Sequence, residues 1–548
     1  MSTTRSVRPV TRVRRYSALA LVLGLVGLAV SFAAPATAST FVPISGAGST
    51  WSQVALDQWR RNVVQYGIKV NYAGTGSSDG RNQFKNGTVD YAVSEIPYGL
   101  KDGGVVDALP ARGFAYMPIV AGGTSFMYNL QIGGKRVTNL RLSGDVIARI
   151  FTGDIKTWND PAIAKDNPAL SLPARKVVPV VRSDGSGTTA QFTTWMATEH
   201  TALWNAYCRK AGRTQTPCGV TSNYPVVPGG GFTAQSGSLG VAGYTSQAKN
   251  VGTITYVEYA YALNTGFPVA KVLNQSGYYT EPTPSNVAVG LLGAKVNNDA
   301  SSPAYLTQNL VGVYNNADRR TYPLSSYSYM IVPTKLENNF NANKGYTLGR
   351  FAYYFLCEGQ KQAPDLGYSP LPINLVKAGL AQVKRIPGVN VQSVDISKCN
   401  NPTFSSDGTN TLAKNAAQPA ACDKAGATQC TDGTGGAKGQ TTPVSKAGGG
   451  TSASNPTSSS NPTSTSSSGG GGGSSSSGGG TTTDPNGQQV TTSGGGDNSE
   501  VVAQALTLAQ PTGWSLQDSA VLLAGLLLVA VVVAPPLVAR SLSKRGRA

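Results

Sequence analysis

Arg182-Ser183-Asp184-Gly185-Ser186-Gly187-Thr188-Thr189 follows an apolar run, Val177-Val178-Pro179-Val180-Val181, and precedes Ala190-Gln191-Phe192-Thr193-Thr194-Trp195-Met196. That order predicts a strand, a polar glycine turn and the start of a helix. A turn of this kind aims bare backbone N–H groups and hydroxyls at whatever lies before it, and a helix N-terminus favours negative charge there. An oxyanion suits such a place. A flexible Ser/Gly connector is the plainer alternative, but a connector has no use for a forked cation, Arg182, with a carboxylate, Asp184, placed to hold it.

Two further glycine/hydroxyl turns lie upstream. Gly46-Ala47-Gly48-Ser49-Thr50-Trp51 leads into residues 52–66, where Trp51, Val54, Ala55, Gln58 and Trp59 recur at helical spacing. A short strand over 68–72 runs into Gly74-Thr75-Gly76-Ser77-Ser78-Asp79-Gly80, then a helix over 81–86, then a strand over 89–95. The βαβα order predicts an α/β domain with a largely parallel sheet. In open α/β sheets ligands sit beyond the carboxyl ends of the strands, so three such turns can converge on one crevice. None of them has the dinucleotide GxGxxG pattern or a P-loop lysine, which argues against a nucleotide site. Further along, 115–130 reads as one or two strands broken at Gly122-Gly123, and 146–151 as a helix. A helix runs from the Arg182 turn to about residue 211, with another glycine-rich turn at Gly229-Gly230-Gly231. Residues 254–261 read as a strand passing into a helix, 325–333 as a strand and 345–357 as a helix.

The termini have a different character. Residues 1–38 combine Arg5, Arg8, Arg12, Arg14 and Arg15 with an apolar run from 18 to 30 and Ala36-Thr37-Ala38, the pattern of a secretory signal peptide; Arg14-Arg15 matches the twin-arginine pattern only poorly. Residues 520–539 carry no charged side chain and precede Arg540, Lys544, Arg545 and Arg547, the pattern of a transmembrane helix with a short cytoplasmic basic tail over 540–548. Five positive residues in the leader and four in the tail account for half of the +18 formal charge, and the remainder is diffuse, so no nucleic-acid partner is expected. Residues 401–519, rich in Ser, Thr, Gly, Asn and Pro, read as a disordered stalk spanning roughly 60 Å as a random coil. The folded module is therefore expected to occupy 39–400, exported and tethered at the cell surface.

Six cysteines in an exported chain point to disulfides, and short separations favour Cys208 with Cys218, Cys357 with Cys399 and Cys422 with Cys430 among the possible pairings. The one histidine, His200, leaves neither a His/Cys metal site nor a base for a serine nucleophile, so no metal, no cofactor and no enzymatic activity are expected.

Six stretches, in order and spacing, resemble the phosphate-binding protein of the Pst-type ABC transporter. They are 45–50, 70–78, 89–95, 150–160, 182–188 and 256–261, and the likeness covers about residues 42–395. It implies a two-lobed type II periplasmic-binding-protein fold, with lobe 1 over about 39–115 and 262–400 and lobe 2 over about 116–261. It further implies a monomer that closes on one dehydrated phosphate and delivers it to ABC permease subunits. Carried over by motif, the ligand contacts are Thr50, Trp51, Ser77, Glu95, Arg182, Ser186, Gly187 and Thr188, with Asp184 behind Arg182. Two positions depart from the family pattern, which has Phe at Trp51 and Asp at Glu95. The second matters more. A carboxylate acceptor receives a hydrogen bond from a phosphate that keeps a proton, whereas fully ionised sulfate has none to give. Phosphate over sulfate is thus expected to persist in a re-posed site.

A second reading is a surface protein that uses the same fold for phosphate sensing or adhesion. It draws on the long stalk and on Leu508-Ala509-Gln510-Pro511-Thr512-Gly513, which resembles a sortase sorting signal with one residue displaced.

Overall fold

The computed structural model describes residues 41–102, 104–389, 399, 401–403, 409–442, 450–451, 481–483 and 489–491. The expected signal peptide, the expected transmembrane segment over 520–539 and the sorting-like motif lie outside these residues. No helix among the described residues is long and apolar enough to cross a membrane.

Eight strands form the central sheet: β1 (Ile44–Gly48), β2 (Val70–Ala73), β3 (Tyr91–Ser94), β4 (Phe114–Asn129), β5 (Val178–Arg182), β6 (Thr233–Gln235), β7 (Thr253–Glu258) and β8 (Ser325–Pro333). Their spatial order is β6-β5-β7-β4-β8-β3-β1-β2. The two ends repeat one design. β1 pairs in parallel with β2 and β3, and β5 pairs in parallel with β6 and β7. Between the two triplets lie β4 and β8, antiparallel to each other. The expected α/β class with parallel strands is present, once per lobe.

β4 makes the join. Its first ten residues, up to Gly123, pair with β8, and from Thr124 onward it pairs with β7. Gly122-Gly123 therefore does not break the strand, as the sequence suggested, but marks where its partner changes. Backbone bonding continues through the glycines because both neighbours supply partners. The last return lies beside it, where Thr124 N–H donates to the Leu324 carbonyl at 3.0 Å. The second lobe's core also includes Ala270, Val272, Leu310, Val313, Tyr314, Tyr322 and Leu324. It therefore recruits much of 265–324 in addition to the 116–261 segment.

Helix α1 (Gln53–Val63) shows how a local pattern becomes packing. Ala55, Leu56, Trp59 and Val63 are buried on one face while Arg60 and Arg61 sit in the last turn, where the helix dipole favours cations. The Trp59 ring stacks on Phe355 at 5.3 Å and its Nε1–H donates to the Gly359 carbonyl at 2.9 Å. Burying a side chain of this size is worth on the order of 3 kcal/mol. Helix α2 (Ser77–Lys85) begins inside the second glycine turn, four residues earlier than the spacing predicted. The long helix expected after Arg182 is two, α3 (Gly187–Glu199) and α4 (Thr201–Lys210), which meet at His200.

Part of the stretch expected to be a disordered stalk is ordered. Residues 409–442 are ordered against the body, and α/β packing alone does not explain why. Arg141, itself buried, donates to the carbonyls of Cys422 at 3.2 Å and Thr428 at 2.8 Å, and Asn139 Nδ2 to that of Cys430 at 2.7 Å. Lys271 pairs with Asp423 at 2.7 Å, and Thr138 N–H donates to Thr442 Oγ1 at 2.7 Å. Side chains of the body thus satisfy the segment's backbone, so few apolar residues of its own are needed. All three disulfides favoured by spacing are formed: Cys208–Cys218, Cys357–Cys399 and Cys422–Cys430. In the second compact unit, residues 458–548, the described residues form one antiparallel ladder, Thr481–Thr483 with Gln489–Thr491.

Candidate functional site

The three glycine turns do meet. Each follows the carboxyl end of a parallel strand: β1 into α1, β2 into α2 and β5 into α3. The repeated topology adds a fourth that the sequence reading missed, since β6 runs through Ser236 into α5 (Gly237–Thr245) as β2 runs into α2. The signal was present as Ser236-Gly237-Ser238, overshadowed by the more conspicuous glycines at 229–231, which line a separate cavity of about 490 Å³ with Lys156, Lys176 and Phe232.

Across the cleft the lobes are in contact. Thr50 Oγ1 lies 2.9 Å from Ser238 Oγ and accepts from Ser238 N–H at 3.0 Å. Gly187 N–H donates to Ser77 Oγ at 3.1 Å, and Ser78 N–H to the Gly185 carbonyl at 3.0 Å. Gln191 Nε2 donates to the Glu95 carbonyl at 2.8 Å. Thr50, Trp51, Ser77, Glu95, Arg182, Ser186, Gly187 and Thr188 are all buried.

Arg182 sits at the end of β5 with its side chain only 2% exposed. Its Nε–H donates to Asp184 Oδ1 at 2.7 Å, and a second guanidinium nitrogen donates to Asp184 Oδ2. Burial works to raise the Asp184 pKa, but hydrogen bonding and charge from Arg182, with Gly237 N–H, hold it below the usual carboxylate value. The remaining nitrogen points along the cradle, 3.4 Å from Thr188 Oγ1 and 3.3 Å from Ser238 Oγ. Asp184 thus fixes the fork as the sequence anticipated, and leaves one edge of it facing the turns.

Ser186 caps α3, its Oγ accepting from Thr189 N–H at 3.1 Å. Thr189 Oγ1 lies 2.8 Å from Tyr256 OH, which also accepts from Arg182 N–H at 3.3 Å, and burial pushes the Tyr256 pKa up to about 12. Gly187 is required by space: a Cβ there would lie 1.9 Å from Glu95 Oε2 and 2.4 Å from Ser77 Oγ. The opposing lobe is that close to the helix start.

Glu95 follows β3 on the facing lobe. Ser49 Oγ donates to Oε1 at 2.7 Å and Oε2 at 2.8 Å, Ser77 Oγ to Oε2 at 2.9 Å and Ser328 Oγ to Oε1 at 2.7 Å. Burial raises its pKa, and the hydroxyls of Ser328, Ser49 and Ser77 oppose the rise. A solvated strand-end role for Glu95 is excluded by its 1% exposure. Ser49 and Ser328 were not singled out from sequence. Ser49 lies inside the first glycine turn, and Ser328 interrupts the tyrosines of a wholly buried strand at a register shift.

Trp51 enters through its backbone and packing. Its N–H donates to Ser49 Oγ at 3.0 Å, its carbonyl accepts from Tyr368 OH at 2.6 Å, and its ring packs edge-on against Tyr368. At the hinge, Glu258 Oε2 accepts from Ala260 N–H at 2.7 Å, and burial pushes its pKa well above the usual range. His200 packs edge-on against Trp195 at 4.6 Å between α3 and α4, where burial lowers its pKa, and it takes part in none of the cleft contacts above. Among the described residues no three His, Cys, Asp or Glu side chains gather as metal ligands would.

Chemically, the cleft offers one restrained guanidinium, a helix N-terminus, a ring of hydroxyls from both lobes, and the buried Glu95 carboxyl as acceptor. A small tetrahedral oxyanion that retains a proton matches that set.

The family model described as a PBP superfamily domain matches residues 33–358. The chain is 34% identical over 337 residues to the phosphate-binding protein PstS of Xylella fastidiosa (strain Temecula1), covering 61% of this chain and 83% of that protein. It is 30% identical over 342 residues to PstS of Haemophilus influenzae, covering 62% and 92%. Against PstS 3 of Mycobacterium leprae the identity is 27% over 309 residues, covering 56% and 76%. A solved high-affinity periplasmic phosphate-binding protein bound with phosphate aligns at TM-score 0.47 and 20% identity, over 64% of this chain and all of its own.

Proposed function

This chain belongs to the PstS family of phosphate-binding proteins within the PBP superfamily, and from that membership we propose that it captures inorganic phosphate between its two lobes. Delivery to the permease subunits of an ABC-type importer follows from the same membership. One observation carries the reading: strand-to-helix turns from both lobes, together with Arg182 and the buried acceptor Glu95, converge in one cleft. Thr50, Ser186 and Thr188 donate to the oxyanion, with Trp51 contributing backbone and packing; Gly187 N–H and Ser77 Oγ, which donate to Ser77 and to Glu95 in this structure, turn to the oxyanion on binding and so free Glu95 to accept. Arg182 supplies the guanidinium, restrained by Asp184, and Glu95 accepts the proton that phosphate keeps. Binding, not bond-breaking, is the task of this site.

The test is calorimetric titration of the full chain with phosphate, arsenate and sulfate. Saturable phosphate binding with sulfate much weaker is the expected result, and absence of any saturable oxyanion binding sinks the proposal.

The chain acts as an exported, surface-tethered monomer. The leader pattern of 1–38 supports the export, and the uncharged 520–539 segment with its basic tail supports the tethering. Membrane fractionation separates tethering from wall attachment: a helix anchor needs detergent for release, whereas wall hydrolase alone releases a covalently sorted chain.

A further inference from the structure

A short hairpin, Lys101–Asp102 paired with Val105–Val106, projects from the first lobe. It is tied down at its base, where Gly99 N–H donates to the Asp107 carbonyl at 2.8 Å and Arg81 pairs with Asp107 at 3.0 Å. Its Asp102 crosses to the second lobe. Oδ1 accepts from Ser222 N–H at 2.9 Å, and Oδ2 accepts from the same N–H at 3.1 Å and from Ser222 Oγ.

The receiving loop is equally fixed. Thr221 N–H donates to Thr193 Oγ1 at 3.0 Å, Arg213 donates to Thr221 Oγ1 at 2.9 Å and to the Asn223 carbonyl at 3.0 Å, and Cys208–Cys218 closes the segment behind it. Ser222, 1% exposed, is also one bond from the cradle, because its carbonyl accepts from Ser186 N–H at 2.9 Å. Ser78 Oγ of the second turn donates to Ser222 Oγ at 3.0 Å. One serine thus joins the hairpin, the second turn and the start of α3.

We propose that Asp102 is a positioning residue for oxyanion capture, a latch that engages Ser222 only when the lobes close and so holds Ser186 and the α3 N-terminus over the ligand. This rests on the phosphate-capture reading above. The carboxylate touches no ligand. In the open protein it is solvated, and on closure it exchanges water for a backbone N–H and a hydroxyl that are themselves rigidly held. Charge-assisted bonds of this kind shift a closing equilibrium by roughly tenfold. The shift appears in the dissociation rate, since departure of the ligand requires the latch to open.

The test uses the full chain carrying Asp102→Ala, Asp102→Asn or Ser222→Ala. Asp102→Ala is expected to weaken phosphate binding by roughly tenfold, nearly all of it in a faster off-rate, with the phosphate-to-sulfate ratio and the ligand-free Tm unchanged. Asp102→Asn, which keeps one acceptor oxygen, falls between, and Ser222→Ala, which keeps the N–H, loses least. Affinity and off-rate of Asp102→Ala within twofold of wild type overturn the latch. So does a loss of affinity matched by a fall in ligand-free Tm, the mark of a merely structural residue.

An interlobe distance makes the result independent of ligand identity. Spin labels at Asn82→Cys and Thr198→Cys, both exposed positions, report closure with and without phosphate. In whichever condition closes the wild type, Asp102→Ala is expected to regain the long distance. An unchanged distribution, or a wild type that stays open in both conditions, overturns the latch. A wild type that binds no phosphate but closes and loses closure with Asp102→Ala retains the latch and defeats the phosphate reading alone.

Discussion

The two walls of the cleft are built from the same topology and do opposite things. The second-lobe wall is a donor surface: the α3 N-terminus, the hydroxyls of Ser186, Thr188 and Ser238, and Arg182 with its charge balanced by Asp184. The first-lobe wall is hydroxyls arranged around an acceptor, with Ser49, Ser77 and Ser328 all donating into Glu95. A donor wall attracts any oxyanion. An acceptor wall repels one that has no proton to offer, so the proposed function assigns most of the affinity to the second lobe and the discrimination to the first. Equivalent strand-to-helix turns reach this division because the side chains at the strand ends differ, while the sheet that carries them is the same.

Removing the cation is the severest challenge to this division. Arg182→Ala should weaken phosphate binding by roughly 10³-fold, since it deletes the guanidinium and leaves the mostly buried Asp184 uncompensated. Calorimetry showing a loss under tenfold would break the assignment of affinity to the second lobe.

Glu95→Gln tests the other wall. The phosphate-to-sulfate ratio should fall by roughly 100-fold as the repelling charge disappears while donors for either anion remain. A ratio unchanged from wild type removes discrimination from the first lobe.

The same residue gives a pH signature. Because burial raises its pKa, Glu95 favours the folded ligand-free protein when neutral; that contribution is complete below the usual value of 4.5 and is lost as pH rises through the raised one. Discrimination runs the other way. As pH falls through the raised value the acceptor becomes a donor, and the phosphate-to-sulfate ratio should shrink toward that of Glu95→Gln, whose own ratio lacks this transition. Parallel curves for the two proteins would refute the acceptor role.

The segment beyond the family-matched region should leave the contrast untouched. Replacing Cys422 and Cys430 with Ser is expected to lower stability by about 2 kcal/mol through the freed loop, read as a drop in Tm, with phosphate affinity preserved. The smallest effect is expected from Trp51→Phe, a change of less than about threefold, because the backbone contacts of that position survive and only ring packing changes. A larger loss would mean that the indole, rather than the backbone, faces the ligand.

The donor wall was largely legible in the chain. Arg182, Asp184 and the Ser186–Thr188 turn lie within seven consecutive residues, so their chemistry is local and needs no tertiary contact to be recognised. The acceptor wall was legible only in part, since Glu95 stood out while Ser328 comes from a strand more than two hundred residues away. Asp102 escaped for the same reason, since nothing near it in sequence distinguishes it from an ordinary turn residue, whereas Ser238 stood in a Ser-Gly-Ser turn overshadowed by the glycines at 229–231. Residues 409–442 escaped for another. A composition rule counts the apolar side chains a segment can bury, whereas this segment is held by side chains of the body bonding to its backbone.

By itself, then, the sequence determined the alternation of strands and helices, the parallel strands and the turns at their carboxyl ends, and by short spacing it favoured the disulfide pairing that the structure shows. These come from periodicity, glycine punctuation and separation along the chain, all of them short-range properties. Tertiary structure alone decided which turns face one another, where β4 changes partner, that a fourth turn joins the cleft, and how the buried Glu95 carboxyl is satisfied. Those outcomes depend on hydrogen bonds between residues far apart in the chain, whose geometry exists only once both lobes are packed on the shared strands β4 and β8.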